Sequence, residues 1–220
     1  MYFEYGVQET EYLARKDKRL GAAIEQIGHI DRAVDGDLFS SVVHQIIGQQ
    51  ISTKAQETIW QRMQQALGTV VAGHILAAGV PELQKLGITY RKAEYITDFA
   101  RKVQTGECRI EEIWQMPDEE VIRVLSSLKG IGVWTAEMIL LFCMQRPDVL
   151  SYDDLAIQRG LRMLYHHRKI DRRLFEKYRR RYSPYGSVAS LYLWAIAGGA
   201  IPGMRDYAPA NPGGKKTKTV

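Results

Sequence analysis

Apolar positions along this 220-residue chain recur at intervals of three and four, the spacing of one helix face, rather than alternating as a strand would. Tyr12, Leu13, Leu20, Ile24 and Ile27 predict a helix from about Glu9 to Ile27. The pairs Leu38/Phe39, Val42/Val43 and Ile46/Ile47 form a double stripe four residues apart, so the helix they mark should be buried, with Asp37 as its N-cap. It ends at Gly48-Gln49-Gln50-Ile51-Ser52. Ser52 can cap the next helix (Ile59, Met63, Ala66, Leu67), which Gly68 stops. A helix near Val70–Ala78, a turn through Pro81 and a helix over Arg91–Val103 (Ala93, Ile96, Ala100 and Val103 on one face) follow.

Pro117 with Asp118, Glu119 and Glu120 suits a helix start, since acids favour the positive end of the dipole. Val121, Val124, Leu125 and Leu128 then share one face; Ala136, Ile139, Leu140 and Cys143 repeat the spacing further on. Between the two stripes, Gly130 and Gly132 allow positive φ and close approach to the backbone. A glycine turn opening a helix N-terminus makes an anion site, although glycine as a simple stop between two helices gives the same pattern. Pro147 should break the second helix. Ile157, Leu161 and Leu164 mark the next one. Arg168 to Arg181 is a basic amphipathic run with Leu174, Phe175 and Tyr178 interleaved, read first as a solvated face. Ser183-Pro-Tyr-Gly-Ser187 should cap a last apolar helix, Val188–Gly198. With no β alternation and no internal repeat, the class is all-α: about ten helices in two interleaved lobes with a central cleft. They form one domain over 1–207, with 36–145 as the central lobe, 1–35 plus 146–207 as the second, and a disordered basic tail over 208–220.

Composition narrows this modestly. Hydrophobic residues make up 45 % and charged residues 25 %, an ordinary globule; the net charge of +5 favours an acidic partner without matching a purely electrostatic nucleic-acid coat. Two separated cysteines, Cys108 and Cys143, exclude a four-cysteine cluster and a disulfide framework. The N-terminus lacks a basic and apolar leader pattern, and no apolar run approaches a membrane span, so a cytoplasmic protein with no membrane partner is expected; a monomer is the expectation for its assembly, although the sequence carries no signal of oligomeric state.

Three features exceed what a core needs. Gln49-Gln50, at a helix corner, is either two solvated amides or a pair able to probe bases or fill a gap in a duplex. Asp153-Asp154 precedes an apolar helix, as an N-cap with a dipole-favoured neighbour would, or as an acid serving a cleft. Trp134 and Trp194 could wall a pocket or belong to the core. His166-His167 is read as a surface pair, since adjacent helical side chains point apart.

Leu128-Lys-Gly-Ile-Gly-Val-Trp-Thr-Ala136, followed by Asp148-Val and Asp153-Asp-Leu-Ala-Ile157, resembles the helix-hairpin-helix DNA glycosylases, most of all the inducible bacterial 3-methyladenine branch. Ile46-Ile-Gly-Gln-Gln-Ile-Ser52 and Tyr185 to Trp194 are similar to that family too, so the resemblance spans roughly Leu38 to Gly199. It implies that Asp154, rather than Asp153, is the catalytic acid, and that the amides of Gly130, Ile131 and Gly132 hold a DNA backbone. Lys129, Thr135 and Gln49 join them as candidate DNA contacts, and Gln50 stands where a side chain wedges into the gap left by an extruded base. The carbonyls of Ser126, Leu128 and Ile131 match positions that hold a monovalent cation, sodium or potassium, when DNA is bound; no other cofactor is implied. Trp134 and Trp194 match base-pocket aromatics, while Met138 and Leu155 replace two others.

The resemblance implies a monofunctional glycosylase acting on damaged double-stranded DNA. Bifunctional relatives carry a Schiff-base lysine where this chain has Trp134, and Lys129 lies five residues too early to replace it. The expected lesions are alkylated purines: 3-methyladenine, with 7-methylguanine or hypoxanthine as further candidates. A non-catalytic hairpin module, or a glycosylase for a mismatched or oxidised base, are the alternatives.

Overall fold

The computed structural model describes residues 1–209; the part of the expected basic tail beyond them lies outside the described residues. Twelve helices are present among these residues, and the only extended pairing is an isolated antiparallel bridge between Tyr2 and Ala33. They fall into two compact units that interleave in sequence: Met1–Glu4 with Asp31–Val149, and Tyr5–Ile30 with the chain from Leu150 on. No single described helix is long and apolar enough to cross a membrane.

The first unit holds α3 (Leu38–Gly48), α4 (Thr53–Leu67), α5 (Ala72–Lys85), α6 (Tyr90–Gln104), the single turn α7 (Ile110–Ile113), α8 (Asp118–Ser126) and α9 (Val133–Phe142). The double stripe of α3 is fully used: Leu38, Val42, Val43, Ile46 and Ile47 are all buried. Side-chain caps start three of these helices. Asp37 accepts the Ser40 amide at 2.6 Å, Ser52 that of Ala55 and Thr89 that of Lys92. The expected turn at Pro81 is instead a kink at Gly79 (φ 69°), with Pro81 opening the second stretch of α5, where its missing N–H costs nothing. Helix α9 stops at Phe142, short of Pro147, with Cys143 as its C-cap and Gln145 (φ 51°) already out of helical geometry. Cys143 is buried, and burial pushes its thiol up to about 12, so it is packed and inert.

The second unit holds α1 (Val7–Lys16), α2 (Lys18–Ile27), α10 (Leu155–Tyr165), α11 (Arg172–Tyr182) and α12 (Gly186–Ala197). The sequence pattern predicts one helix over Glu9–Ile27, but Asp17 leaves helical geometry (φ −146°) and caps a second helix through the Arg19 and Leu20 amides. Three further expectations are corrected. The serines around Pro184 do not cap α12; Tyr185 stands at its N-cap position without a side-chain cap bond. The basic run is not wholly solvated either. Arg181 pairs with buried Asp17, while Phe175 and Tyr178 are buried. His166 and His167 sit past the last turn of α10 rather than within it, His166 at φ 61° stacked on Tyr207 and His167 bonded to the Tyr178 hydroxyl at 2.7 Å.

Gly160 sets the α10–α12 crossing. A Cβ there would lie 2.4 Å from the Leu193 carbonyl oxygen, so the backbones touch only because the position is glycine. The residue after Leu193 is Trp194, which matters below.

Candidate active site and nucleic-acid interface

In the first unit, α8 runs out at Ser127 and a tight turn leads to α9. The Leu128 amide donates to Leu125 at 3.1 Å, and the Ile131 amide donates to the Leu128 carbonyl at 3.1 Å. Only one of the two glycines needs its conformational freedom. Gly130 has φ 84° and lies against α6, where a Cβ would meet the Tyr95 ring at 2.4 Å. Gly132 is extended at φ −94°, and a Cβ there would enter open space. Neither φ nor packing inside the protein therefore demands glycine at 132, and the open space beside its Cα leaves room for a group outside the protein to approach the backbone. Gly132 caps α9, whose first-turn amides no carbonyl of the helix can accept, and the dipole adds partial positive charge there.

The side chains around the turn divide sharply. Val133 is 49 % exposed and Trp134 41 %, an apolar pair presented at the start of α9. Ile131, Thr135 and Met138 are buried. Thr135 thus offers a ligand at most its backbone amide, and Met138 packs as core instead of presenting a surface to a base. Lys129 is largely exposed and sits 3.5 Å from Asp98, a loose pair that leaves its ammonium near the turn.

Gln49 and Gln50 part company. The Gln49 amide donates to the Gly130 carbonyl at 2.6 Å, tying the α3–α4 corner to the hairpin. Gln50 is exposed and holds φ 58°, a left-handed backbone that a non-glycine residue adopts only when its surroundings impose it.

The second unit carries the acid. Asp154 is the N-cap of α10 and only 7 % exposed, and its Oδ1 accepts the Ala156 amide at 2.9 Å, the Ile157 amide at 2.8 Å and the Trp194 indole N–H at 3.1 Å. Three donors fix one carboxylate oxygen and with it the plane of the group. Asp153 is exposed, so the adjacent acids have opposite environments. Trp194, expected as a pocket wall, is half-buried with its indole N–H spent on Asp154; the Gly160–Leu193 contact is what lets α12 come close enough to deliver it. Leu155 is 81 % exposed, an uncovered apolar side chain directly beside the acid.

No cluster of three or more histidine, cysteine or acidic side chains suited to a metal ion occurs among the described residues. The carbonyls of Ser126, Leu128 and Ile131 belong to the turn, and the Leu128 oxygen already accepts one amide. A neutral, all-carbonyl donor set suits a weakly held monovalent cation better than a divalent ion, whose sites add carboxylates.

Fold and site thus define an all-α protein with a helix-hairpin-helix element in one unit and a buried, helix-capping aspartate in the other. The chain belongs to the HhH-GPD superfamily of base excision DNA repair proteins, whose family model matches residues 43–184. Its fold is similar to the crystal structure of a DNA-3-methyladenine glycosidase from Bacillus halodurans, with a TM-score of 0.79 and 34 % identity, covering 90 % of this chain and 93 % of that one. It is 29 % identical to DNA-3-methyladenine glycosylase 1 of Schizosaccharomyces pombe over 71 % of each chain. With a Bacillus subtilis relative, 27 % identical, the match covers 80 % of this chain but 64 % of the relative.

Proposed function

We propose that this protein is a monofunctional DNA glycosylase that extrudes alkylated purines, 3-methyladenine above all and 7-methylguanine as a further substrate, and hydrolyses their N-glycosidic bond; hypoxanthine, a deaminated and uncharged purine, is a further candidate that would need a proton from solvent to leave. The observation that carries the reading is Asp154: a buried carboxylate, fixed by three N–H donors at a helix N-terminus in the unit that lacks the hairpin. Membership of a base excision repair family and similarity to proteins named for 3-methyladenine support the substrate class.

The chemistry follows from the leaving group. A base in a duplex cannot be reached in the stack, so the nucleotide must rotate out. The Gly130–Gly132 turn with the first amides of α9 would anchor the backbone without reading sequence, helped by Lys129, and Gln50 would fill the vacated space. A monovalent cation held by the carbonyls of Ser126, Leu128 and Ile131 would add positive charge beside that phosphate. An N-alkylated purine is already cationic and departs with the glycosidic electron pair as a neutral base, without a general acid. Asp154 stabilises the positive charge left on the sugar, and water adds at C1′, giving up its proton to the Asp154 carboxylate or to solvent. Trp134 favours an electron-poor ring by stacking, worth about 1–2 kcal/mol when desolvated. Trp134 occupies the position of the lyase lysine, so no Schiff base forms and the product is an abasic site.

The test is a panel of duplexes carrying 3-methyladenine, 7-methylguanine, hypoxanthine, uracil or 8-oxoguanine, resolved before and after hot alkali. Breaks at alkylated purines after alkali only are expected. Strand cleavage before alkali would overturn the monofunctional reading, and no cleavage on any lesion would overturn catalysis.

The two glycines separate fold from binding. Gly130→Ala imposes a left-handed alanine and a clash with Tyr95, at a cost of about 1–3 kcal/mol seen in urea unfolding. Gly132→Ala is unstrained, and the poorer alanine N-cap is offset by the lower entropy of the unfolded chain, so unfolding should shift by less than about 1 kcal/mol while duplex affinity falls about tenfold in fluorescence anisotropy, about 1.4 kcal/mol. Unchanged affinity in Gly132→Ala would remove the hairpin from the interface.

A further inference from the structure

Lys92, on α6, ties the backbone of the Gln49-Gln50 corner to that helix. Its ammonium donates to the Ile47 carbonyl at 2.8 Å and to the Gln49 carbonyl at 2.6 Å, at and just past the C-terminal end of α3. A cation at this end of a helix meets both unpaired carbonyls and the negative end of the dipole. The Gln49 carbonyl belongs to the peptide that enters Gln50, so Lys92 grips the backbone immediately before the left-handed residue (φ 58°). Lys92 is half-buried, and burial pulls its ammonium below the ordinary lysine value; the two charge-assisted bonds offset that cost.

The same helix reaches the hairpin. Tyr95, three residues on and hence on the same side of α6, packs its ring against Gly130 so closely that no Cβ fits. Between the two contacts runs the Gln49 side chain, bonded to the Gly130 carbonyl at 2.6 Å. A closed loop results: Lys92 to the Gln49 backbone, Gln49 side chain to Gly130, Gly130 to Tyr95, and Tyr95 back along α6 to Lys92. The strained corner and the left-handed glycine are both braced from one rigid helix.

We propose that Lys92 is a positioning residue for base extrusion: through the Gln49 peptide it fixes the backbone of Gln50 and registers it against the hairpin. The inference rests on the reading of the hairpin as backbone clip and Gln50 as wedge. Its physical basis is that extrusion needs two points on the duplex held at a fixed separation. A wedge free to relax from its left-handed backbone would yield to the stack instead of displacing it. The Lys92 ammonium is spent on two backbone carbonyls and not offered to base or sugar, so its loss should be felt only where a base has to be unpaired.

The test compares Lys92→Met with Lys92→Arg, using single-turnover excision of one alkylated purine in a fully paired duplex and opposite an abasic gap, where no pair must be broken. Lys92→Met is expected to lose about tenfold on the paired substrate and less than about twofold opposite the gap, with Lys92→Arg, which still supplies two donors, within about threefold of wild type on both. Equal loss on both substrates, or none on the paired one, overturns the proposal. If Lys92→Met does not fold, Gln49→Met cuts the same loop at its other side and must give the same split. A second readout needs no excision: 2-aminopurine beside a tetrahydrofuran abasic analogue reports unstacking when saturating protein binds. The wild type should brighten it and Lys92→Met should not, whereas equal brightening counts against Lys92. Absence of excision by the wild type on either substrate defeats the glycosylase reading, and the fluorescence comparison then decides Lys92 by itself.

Discussion

Asp154→Asn is expected to lower single-turnover excision of 3-methyladenine by about 10²–10³-fold, the usual scale for removing one preorganised electrostatic group from a transition state. Asparagine is the informative choice because Asp154 has two jobs. As N-cap it accepts the Ala156 and Ile157 amides, and as anchor it accepts the Trp194 indole N–H. Asparagine caps helices as well as aspartate does, and its carbonyl oxygen can accept the same three donors. What disappears is the negative charge. Thermal stability and duplex affinity should therefore stay near wild type while the chemical step collapses. Asp154→Ala, in contrast, also removes the cap, at about 1 kcal/mol, and leaves the indole N–H unserved, so its defect mixes folding with catalysis. Asp153→Asn provides the internal comparison: that side chain is exposed, and excision should be unaffected. Near-normal excision by Asp154→Asn would place the chemistry elsewhere.

The helix faces were legible because burial and period agree. The α3 pairs, the α8 stripe and the α9 stripe all lie where a repeat of three and four puts them, and the caps Asp37 and Ser52 could be read from residue type alone. Where the sequence misled, spacing was blind to the cause. Leu13 and Leu20 are seven apart and both fully buried, so the apolar register continues unbroken across Asp17, although the backbone there does not. Met138 and Leu155 both stand at pocket positions of the family pattern, yet one is core and the other 81 % exposed. Nothing local distinguishes them.

Long-range partners were illegible in the same way. That Trp194 donates to Asp154, 40 positions away, depends on Gly160 admitting the backbone of Leu193; in the sequence Gly160 is only a poor helix residue. Lys92 looks like any polar residue beside an apolar helix face, and its importance lies in carbonyls of α3 some 45 positions earlier. The Asp153-Asp154 pair needed no such partner to be noticed, because a cap and a catalytic acid share one sequence signature. In three dimensions the cap is observed and the catalytic reading is compatible with it: the capping bonds fix the carboxylate that the proposed chemistry would use.

Asp17→Asn is expected to lower the melting temperature by about 6–12 °C at neutral pH, from a loss of about 3 kcal/mol at about 2–4 °C per kcal/mol. The Asp17 side chain is 3 % exposed; one oxygen accepts the Arg19 and Leu20 amides at 3.0 Å each, and the other pairs with Arg181. Asparagine keeps the cap but leaves the Arg181 guanidinium, 31 % exposed, without its counter-charge; that partial exposure places the loss at the low end of the range for broken buried pairs. Burial by itself would raise the Asp17 carboxyl, but the Leu20 amide, Arg181 and the Tyr165 hydroxyl together hold it below its ordinary value. The sign of the pH dependence follows. A carboxyl whose folded pKa is depressed contributes fully above the unfolded value of about 3.9, and that contribution fades as pH falls through the lower folded value. The gap in melting temperature between wild type and Asp17→Asn should accordingly be constant from neutral pH down to about 5 and close as the folded carboxyl protonates. A gap that persists unchanged to the acid limit would mean that Asp17 acts through shape and capping, not charge. Because Asp17 both breaks the predicted first helix and pins α11 through Arg181, its loss should loosen α1, α2 and α11 together, and hydrogen exchange should rise in those three helices before it rises in α12, which carries Trp194.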